Sequence, residues 1–213
     1  MRKVISSGMM LKIKHKTLQW APKWVNAFGN PEECGVWIIW GNSGNGKSNF
    51  VMQLLAELSL NKRVFYNSLE EGFGLTMQQS LQRVSTQLNH RNVLFGKESV
   101  EELEARLKKR RSPDVVITDS FQYLLIGYAR YKKLKEAFPN KLFIMVSHAE
   151  GKQPAGRTAK AVKFDADMKI WVEGFKAISN GRHNPGGEYV IWKEGAEAYH
   201  GTGASYNGLT SKM

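Results

Sequence analysis

Eight consecutive residues, Gly41, Asn42, Ser43, Gly44, Asn45, Gly46, Lys47 and Ser48, carry the most legible chemistry in the chain. A glycine, four free positions, then glycine, lysine and a hydroxyl residue is the pattern of a loop that wraps phosphate. Glycines let backbone N–H groups converge on anionic oxygens, and a helix opening behind them turns its positive end to the same point. In that arrangement Lys47 reaches the outer phosphates of a nucleotide and Ser48 offers a hard oxygen to Mg²⁺.

Phosphate binding becomes hydrolysis only if other groups hold the metal and activate water. Asp119 closes the apolar run Val115 to Thr118, where a carboxylate would complete the Mg²⁺ shell, directly or through water. Glu70 lies just past the short apolar run Val64 to Tyr66 and is the candidate water-activating base, with Glu71 as its immediate rival. His148 ends a further apolar run, Leu142 to Val146. In an α/β sheet, ligands gather where parallel strands end, so these side chains are expected around one crevice.

The elements that would position them read clearly. Val36 to Trp40 is an apolar strand entering the loop, and Val51, Leu54, Leu55 and Leu58 follow at helical spacing. Met77, Leu81, Val84 and Leu88 mark a second helix. A third begins at Ser99, with Glu102 completing a capping box and Lys108 to Arg111 at its basic end. Tyr123, Leu124, Tyr128, Tyr131 and Leu134 read as one helix. Short strands at 169–172, 175–178 and 189–192 enclose a hairpin turn at Asn184 to Gly187. Strands apolar throughout, alternating with helices, predict an α/β fold with a mostly parallel central sheet flanked by helices and a C-terminal β-hairpin. Gly151 to Lys163 contains Lys152, Arg157, Lys160 and Lys163 and one acid-free stretch of loop-forming residues, and is predicted to be a mobile basic loop. Tyr123, Phe164 and Trp171 are predicted to pack in the core rather than to stack on bases.

The 213 residues, 42% hydrophobic and 23% charged, suit one soluble globular domain. Residues 1–34 are expected as a basic arm whose Trp20 and Trp24 pack on the core or on a neighbouring subunit, 35–194 as the core, and 195–213 as a small polar, frayed tail. The formal charge of +12 favours an anionic polymer as partner. A single cysteine, Cys34, precludes an intramolecular disulfide and fits a reducing, cytoplasmic setting. Lys12, Lys14 and Lys16 interrupt any secretory apolar segment, and no run approaches membrane-spanning length, so no membrane partner is expected.

Taken together, the phosphate loop, Ser68-Leu69-Glu70, the strand Val115 to Asp119 with Ser120, and the strand Leu142 to His148 followed by a basic segment resemble the motor core of RecA-like P-loop ATPases. The resemblance spans approximately residues 35 to 193 and is strongest to the branch containing RadA, KaiC and the DnaB helicases. It implies ATP and Mg²⁺ as cofactors, Glu70 as catalytic glutamate, Asp119 as metal-associated aspartate, and His148 as the residue that senses the γ phosphate. It also implies that Lys152, Arg157, Lys160 and Lys163 contact DNA, single-stranded DNA being the expected form, in recombination, repair or replication. Assembly as a homo-oligomeric ring or filament follows from the same resemblance, with Lys176 and Arg182 matching a basic pair that reaches the neighbouring subunit's nucleotide. In that branch the pair is closely spaced, whereas here Ala177 to Gly181 intervene. A helicase or recombination protein is the expected protein partner. Two other classes are open: a KaiC-like regulatory ATPase or helicase loader working through protein contacts, and a small-molecule P-loop kinase.

Overall fold

The computed structural model describes residues 4–201. The chain begins with two short helices, α1 (Ser7–Met10) and α2 (Pro22–Phe28), and then forms strand β1 (Gly35–Gly41). Next come α3 (Lys47–Ser59), β2 (Val64–Ser68), α4 (Leu75–Val84), β3 (Val93–Gly96) and α5 (Val100–Leu107). The second half runs β4 (Val115–Asp119), α6 (Tyr128–Ala137), β5 (Leu142–Glu150), β6 (Gln153–Pro154), α7 (Arg157–Asp165), β7 (Met168–Glu173), β8 (Lys176–Ser179), β9 (Glu188–Val190) and α8 (Lys193–His200).

Eight strands line up in the order β3-β2-β4-β5-β1-β7-β8-β9, with β6 paired to the end of β5. All pairings from β3 across to β7 are parallel, and β7, β8 and β9 continue antiparallel through the expected hairpin. Strand β1 explains why its sequence carries no polar alternation. Trp37 and Ile39 join the core beneath α2, α3 and α4, while Val36, Ile38 and Trp40 join the one beneath α5, α6 and α7. A strand buried on both faces must be apolar at every position.

The basic arm does pack its tryptophans inward. Trp24 is buried and stacks on Tyr189 of β9 at 4.3 Å, and Trp20 lies against Trp24 and Trp37. The capping box at Ser99 is formed in both directions.

Several expectations give way. The predicted mobile loop is for the most part helix α7: Ala159 and Val162 are buried, and Asp165 accepts hydrogen bonds from Tyr131 (2.7 Å) and Lys135 (2.9 Å) of α6. Its basic residues hid an amphipathic helix. The single helix predicted over Tyr123 to Leu134 is broken, because Leu125 takes a left-handed backbone (φ 54°) after a 3₁₀ turn and α6 starts afresh behind Gly127. Residues 195–200, expected as frayed tail, belong to α8, whose Gly195 fits closely under Trp192 and Phe175. Edge strand β3, only partly buried, is an element that the sequence reading missed, although Val93, Leu94 and Phe95 form an apolar run like that of β2. Trp171 is buried as expected, but Phe164 is 82% exposed and Tyr123 51% exposed, so neither is a core residue.

Candidate phosphate and water-activation site

β1 delivers the loop at the centre of the sheet, and α3 departs from its far side. Gly44 (φ 78°) and Gly46 (φ 91°) both take the left-handed conformation that side chains resist, and a Cβ on Gly46 would press to 3.0 Å from the Phe175 ring. Gly46 caps α3 with no side-chain hydrogen bond, and the first turn holds no acid. The N–H groups and positive end of the helix are thus offered to an anion. Asn45, a free position in the motif, fixes the loop: its side-chain oxygen accepts from the Gly174 N–H (2.8 Å) and its carbonyl from the Phe175 N–H (3.1 Å). The turn between β7 and β8 therefore clamps the loop, a role that nothing in the local sequence announces.

A cavity of about 350 Å³ opens over the loop. Asn42, Ser43, Gly44, Gly46, Lys47 and Ser48 line one side, with Glu71, Thr76, Gln79, Ser80, Arg83 and Phe175 across it. Arg83 donates to Asn49 at 3.1 Å, directly after the loop serine. The lining suits an anionic, phosphate-bearing ligand.

Sheet register brings the remaining groups alongside. Gly41 of β1 pairs with His148 of β5, and Ser68 of β2 pairs with Asp119 of β4. Asp119 is largely buried and bonds the Tyr66 hydroxyl. Burial pushes the Asp119 carboxyl above the ordinary aspartate range, opposed by the Tyr66 hydrogen bond and the positive charge of Lys47. Burial, followed by the Asp119 charge, raises the Tyr66 hydroxyl well above its ordinary value. Asp119 and Ser48 carry hard oxygens of the kind Mg²⁺ prefers, and would be the side chains to hold such a cation here. No cluster of three or more His, Cys, Asp or Glu side chains suited to a metal occurs among the described residues. A cation here would therefore share its shell with oxygens of the ligand, as Mg²⁺ on nucleotide phosphates does.

Glu70 and its rival Glu71 have different surroundings, Glu71 lining the cavity over the loop and Glu70 lying at the strand ends beside His148. Glu71 accepts from the Thr76 hydroxyl (3.1 Å) at the opening of α4. Glu70 accepts from the Ser120 hydroxyl (2.8 Å) and sits 3.2 Å from Nε2 of His148, itself 3.0 Å from Ser120 Oγ. Glu70 and His148 are both half-exposed at the strand ends, where water reaches the carboxylate.

The basic residues are placed less uniformly. Lys152 and Arg157 are exposed, but Lys160 pairs with Glu150 (2.8 Å), and Lys163 donates to Gln153 (2.8 Å) and lies 4.4 Å from the Trp40 ring centre. Burial, with Lys169 nearby, lowers the Lys163 ammonium. Lys176 starts β8 at the loop end of the sheet and pairs with Glu188 (3.1 Å). Arg182 is not brought to the site. Its N–H bonds the carbonyl of Asp167, just before β7, at the opposite end of the strands. Gln122 was also not anticipated: it donates to Ser147 (2.7 Å) and to the Ala155 carbonyl (2.9 Å), while the Ala155 N–H bonds the His148 carbonyl (2.8 Å). The end of β5 is thereby tied to the start of α7.

Central loop, parallel sheet and antiparallel extension together define a RecA-like P-loop NTPase fold. The chain is similar to the flagellar accessory protein FlaH from Methanocaldococcus jannaschii, with 16% identity and a TM-score of 0.57 over 82% of this chain and 93% of that one. It is likewise similar to a KaiC-like protein from Pyrococcus horikoshii, with 14% identity and a TM-score of 0.61 over 81% and 93% of the two chains. No protein-family model and no curated protein matches the sequence. No helix among the described residues is long and apolar enough to cross a membrane.

Proposed function

We propose that this protein is an Mg²⁺-dependent ATPase whose hydrolysis is coupled to binding of DNA, single-stranded in the first instance. The observation that carries the reading is the convergence of the phosphate loop, Asp119, Glu70 and His148 at one end of the sheet. The loop N–H groups and Lys47 would hold the triphosphate, and Ser48 and Asp119 the metal. Bound Mg²⁺ would neutralise charge on the phosphates. Glu70 takes the proton of the attacking water, and His148 stands beside it as the group that registers the outer phosphate. Through Ala155 and Gln122, the end of β5 passes that event to α7 and its basic face. Arg182 would act only from a neighbouring copy, in a ring or filament.

One observation favours a second reading. Lys160 and Lys163 already have intramolecular partners, which weakens the DNA-facing surface relative to a regulatory ATPase or helicase loader that works through protein contacts. The test measures phosphate release against added single-stranded DNA, duplex DNA and RNA, with Glu70→Gln alongside. We predict stimulation by single-stranded DNA and a fall in turnover of about a hundredfold or more in Glu70→Gln, with nucleotide binding retained. Hydrolysis that ignores nucleic acid would favour the regulatory reading. Transfer to a small-molecule acceptor, with no release to water, would favour a kinase.

A further inference from the structure

Ser120 has no part in the phosphate-loop motif, and its side chain is fully buried at the end of β4. Buried hydroxyls nearby, Ser68 and Thr118, have no hydrogen-bond partner among the described residues. Ser120 differs because its oxygen meets two half-exposed groups at once, Glu70 Oε2 at 2.8 Å and His148 Nε2 at 3.0 Å. A serine hydroxyl has one proton. Directed to the carboxylate, which can only accept, that proton leaves the oxygen free only to accept from the histidine. His148 must then carry a proton on Nε2, which also faces Glu70 at 3.2 Å. The main chain supports the same arrangement: the Leu69 and Glu70 N–H groups both bond the Asp119 carbonyl, at 2.7 and 3.3 Å, so Glu70 is anchored from the residue that precedes Ser120.

We propose that Ser120 is the positioning residue of the water-activation site, orienting the Glu70 carboxylate and fixing the proton of His148 on Nε2. It acts through Glu70, its own side chain being closed off from solvent. The inference rests on the reading of Glu70 as the group that activates water. Its consequence is a linked pair: base and phosphate-registering residue share one buried hydroxyl, so a shift of either is felt by the other.

The test compares the unmodified protein, Ser120→Ala, Glu70→Gln and the double variant, for ATP turnover and for ATP affinity by equilibrium binding. Ser120→Ala is expected to lower kcat between about ten- and a hundredfold, as loss of orientation does, while ATP affinity stays within about twofold. In the Glu70→Gln background the same substitution should change kcat by less than about twofold, because two residues acting through one group are not additive. Additive losses, or an unchanged kcat in Ser120→Ala beside an active unmodified protein, would overturn the inference alone. An unmodified protein that binds ATP without hydrolysing it would overturn the reading of Glu70, and the inference with it. Nitrogen-15 NMR of the histidine rings gives a measurement independent of turnover and of whether Ser120→Ala folds. A proton on His148 Nε2 is expected, and a bare Nε2 would overturn the assignment.

Discussion

At the scale of single residues, the carboxylate of Asp119 shows how a candidate site residue can be legible while its support is not. A polar residue closing an apolar strand next to a phosphate loop draws attention from sequence alone. Tyr66 does not, because it lies in an unbroken buried strand and reads as core, yet its hydroxyl is the partner of Asp119. Only the parallel pairing of β2 with β4 brings the two together. The contacts of Asn45 and Ser120 escape a sequence reading for the same reason, since their partners come from the β7–β8 turn, β5 and the segment after β2. The Tyr66 contact has a measurable worth. Without the phenol oxygen, the buried carboxylate loses its donor while its desolvation remains, and an unsatisfied buried acceptor costs about 1–3 kcal/mol. We therefore predict that Tyr66→Phe lowers unfolding stability by that amount near neutral pH. Denaturant titration checks it, and an unchanged midpoint would mean that solvent already satisfies Asp119.

At the scale of elements, periodicity served where burial was two-sided or strictly helical, and failed where charge masked a helix. The strands β1, β2, β4 and β5 were legible because only continuous apolar runs survive between two helical layers. In the sequence helix α7 resembles a loop because glycine and proline precede it and its solvent side is basic, although Ala159 and Val162 mark its buried stripe. Its anchor is Asp165, which α6 grips through Tyr131 and Lys135. Burial raises the Asp165 carboxyl, but those two hydrogen bonds together with the positive charges of Lys135 and Lys132 outweigh it and leave the group below its ordinary value of 3.8. A depressed acid stabilises the fold fully above that ordinary value, and the contribution fades as pH falls through the folded value. We predict that Asp165→Asn destabilises the protein at neutral pH, by an amount that shrinks as pH falls below 3.8, and speeds amide exchange across 158–166. Equal loss at every pH would assign the effect to packing. Rapid exchange of these amides in the unmodified protein would restore the mobile loop.

At the scale of the whole molecule, charge and fold carry different information. The parallel sheet with its central loop accounts for where a nucleotide would sit, while the +12 charge bears on what the nucleotide's turnover would act upon. Charge alone does not locate a nucleic-acid surface, and the placement of the four basic residues sorts them. Lys160 and Lys163 are held by Glu150, Gln153 and the Trp40 ring, so moving either to a phosphate would cost an existing contact. Lys152 and Arg157 are exposed, next to the segment that Gln122 and Ala155 tie to His148. If single-stranded DNA binds here, each phosphate contact releases counterions, and the logarithm of affinity falls with the logarithm of salt by about 0.7 per contact. We predict that Lys152→Ala and Arg157→Ala each reduce that slope by roughly this amount, whereas Lys160→Ala and Lys163→Ala change it less. Fluorescence titration of a labelled oligonucleotide over a range of salt concentrations measures all four. Equal slopes in the four variants would remove this face from the DNA-binding surface, and binding without salt dependence would argue for a partner recognised by means other than its phosphates.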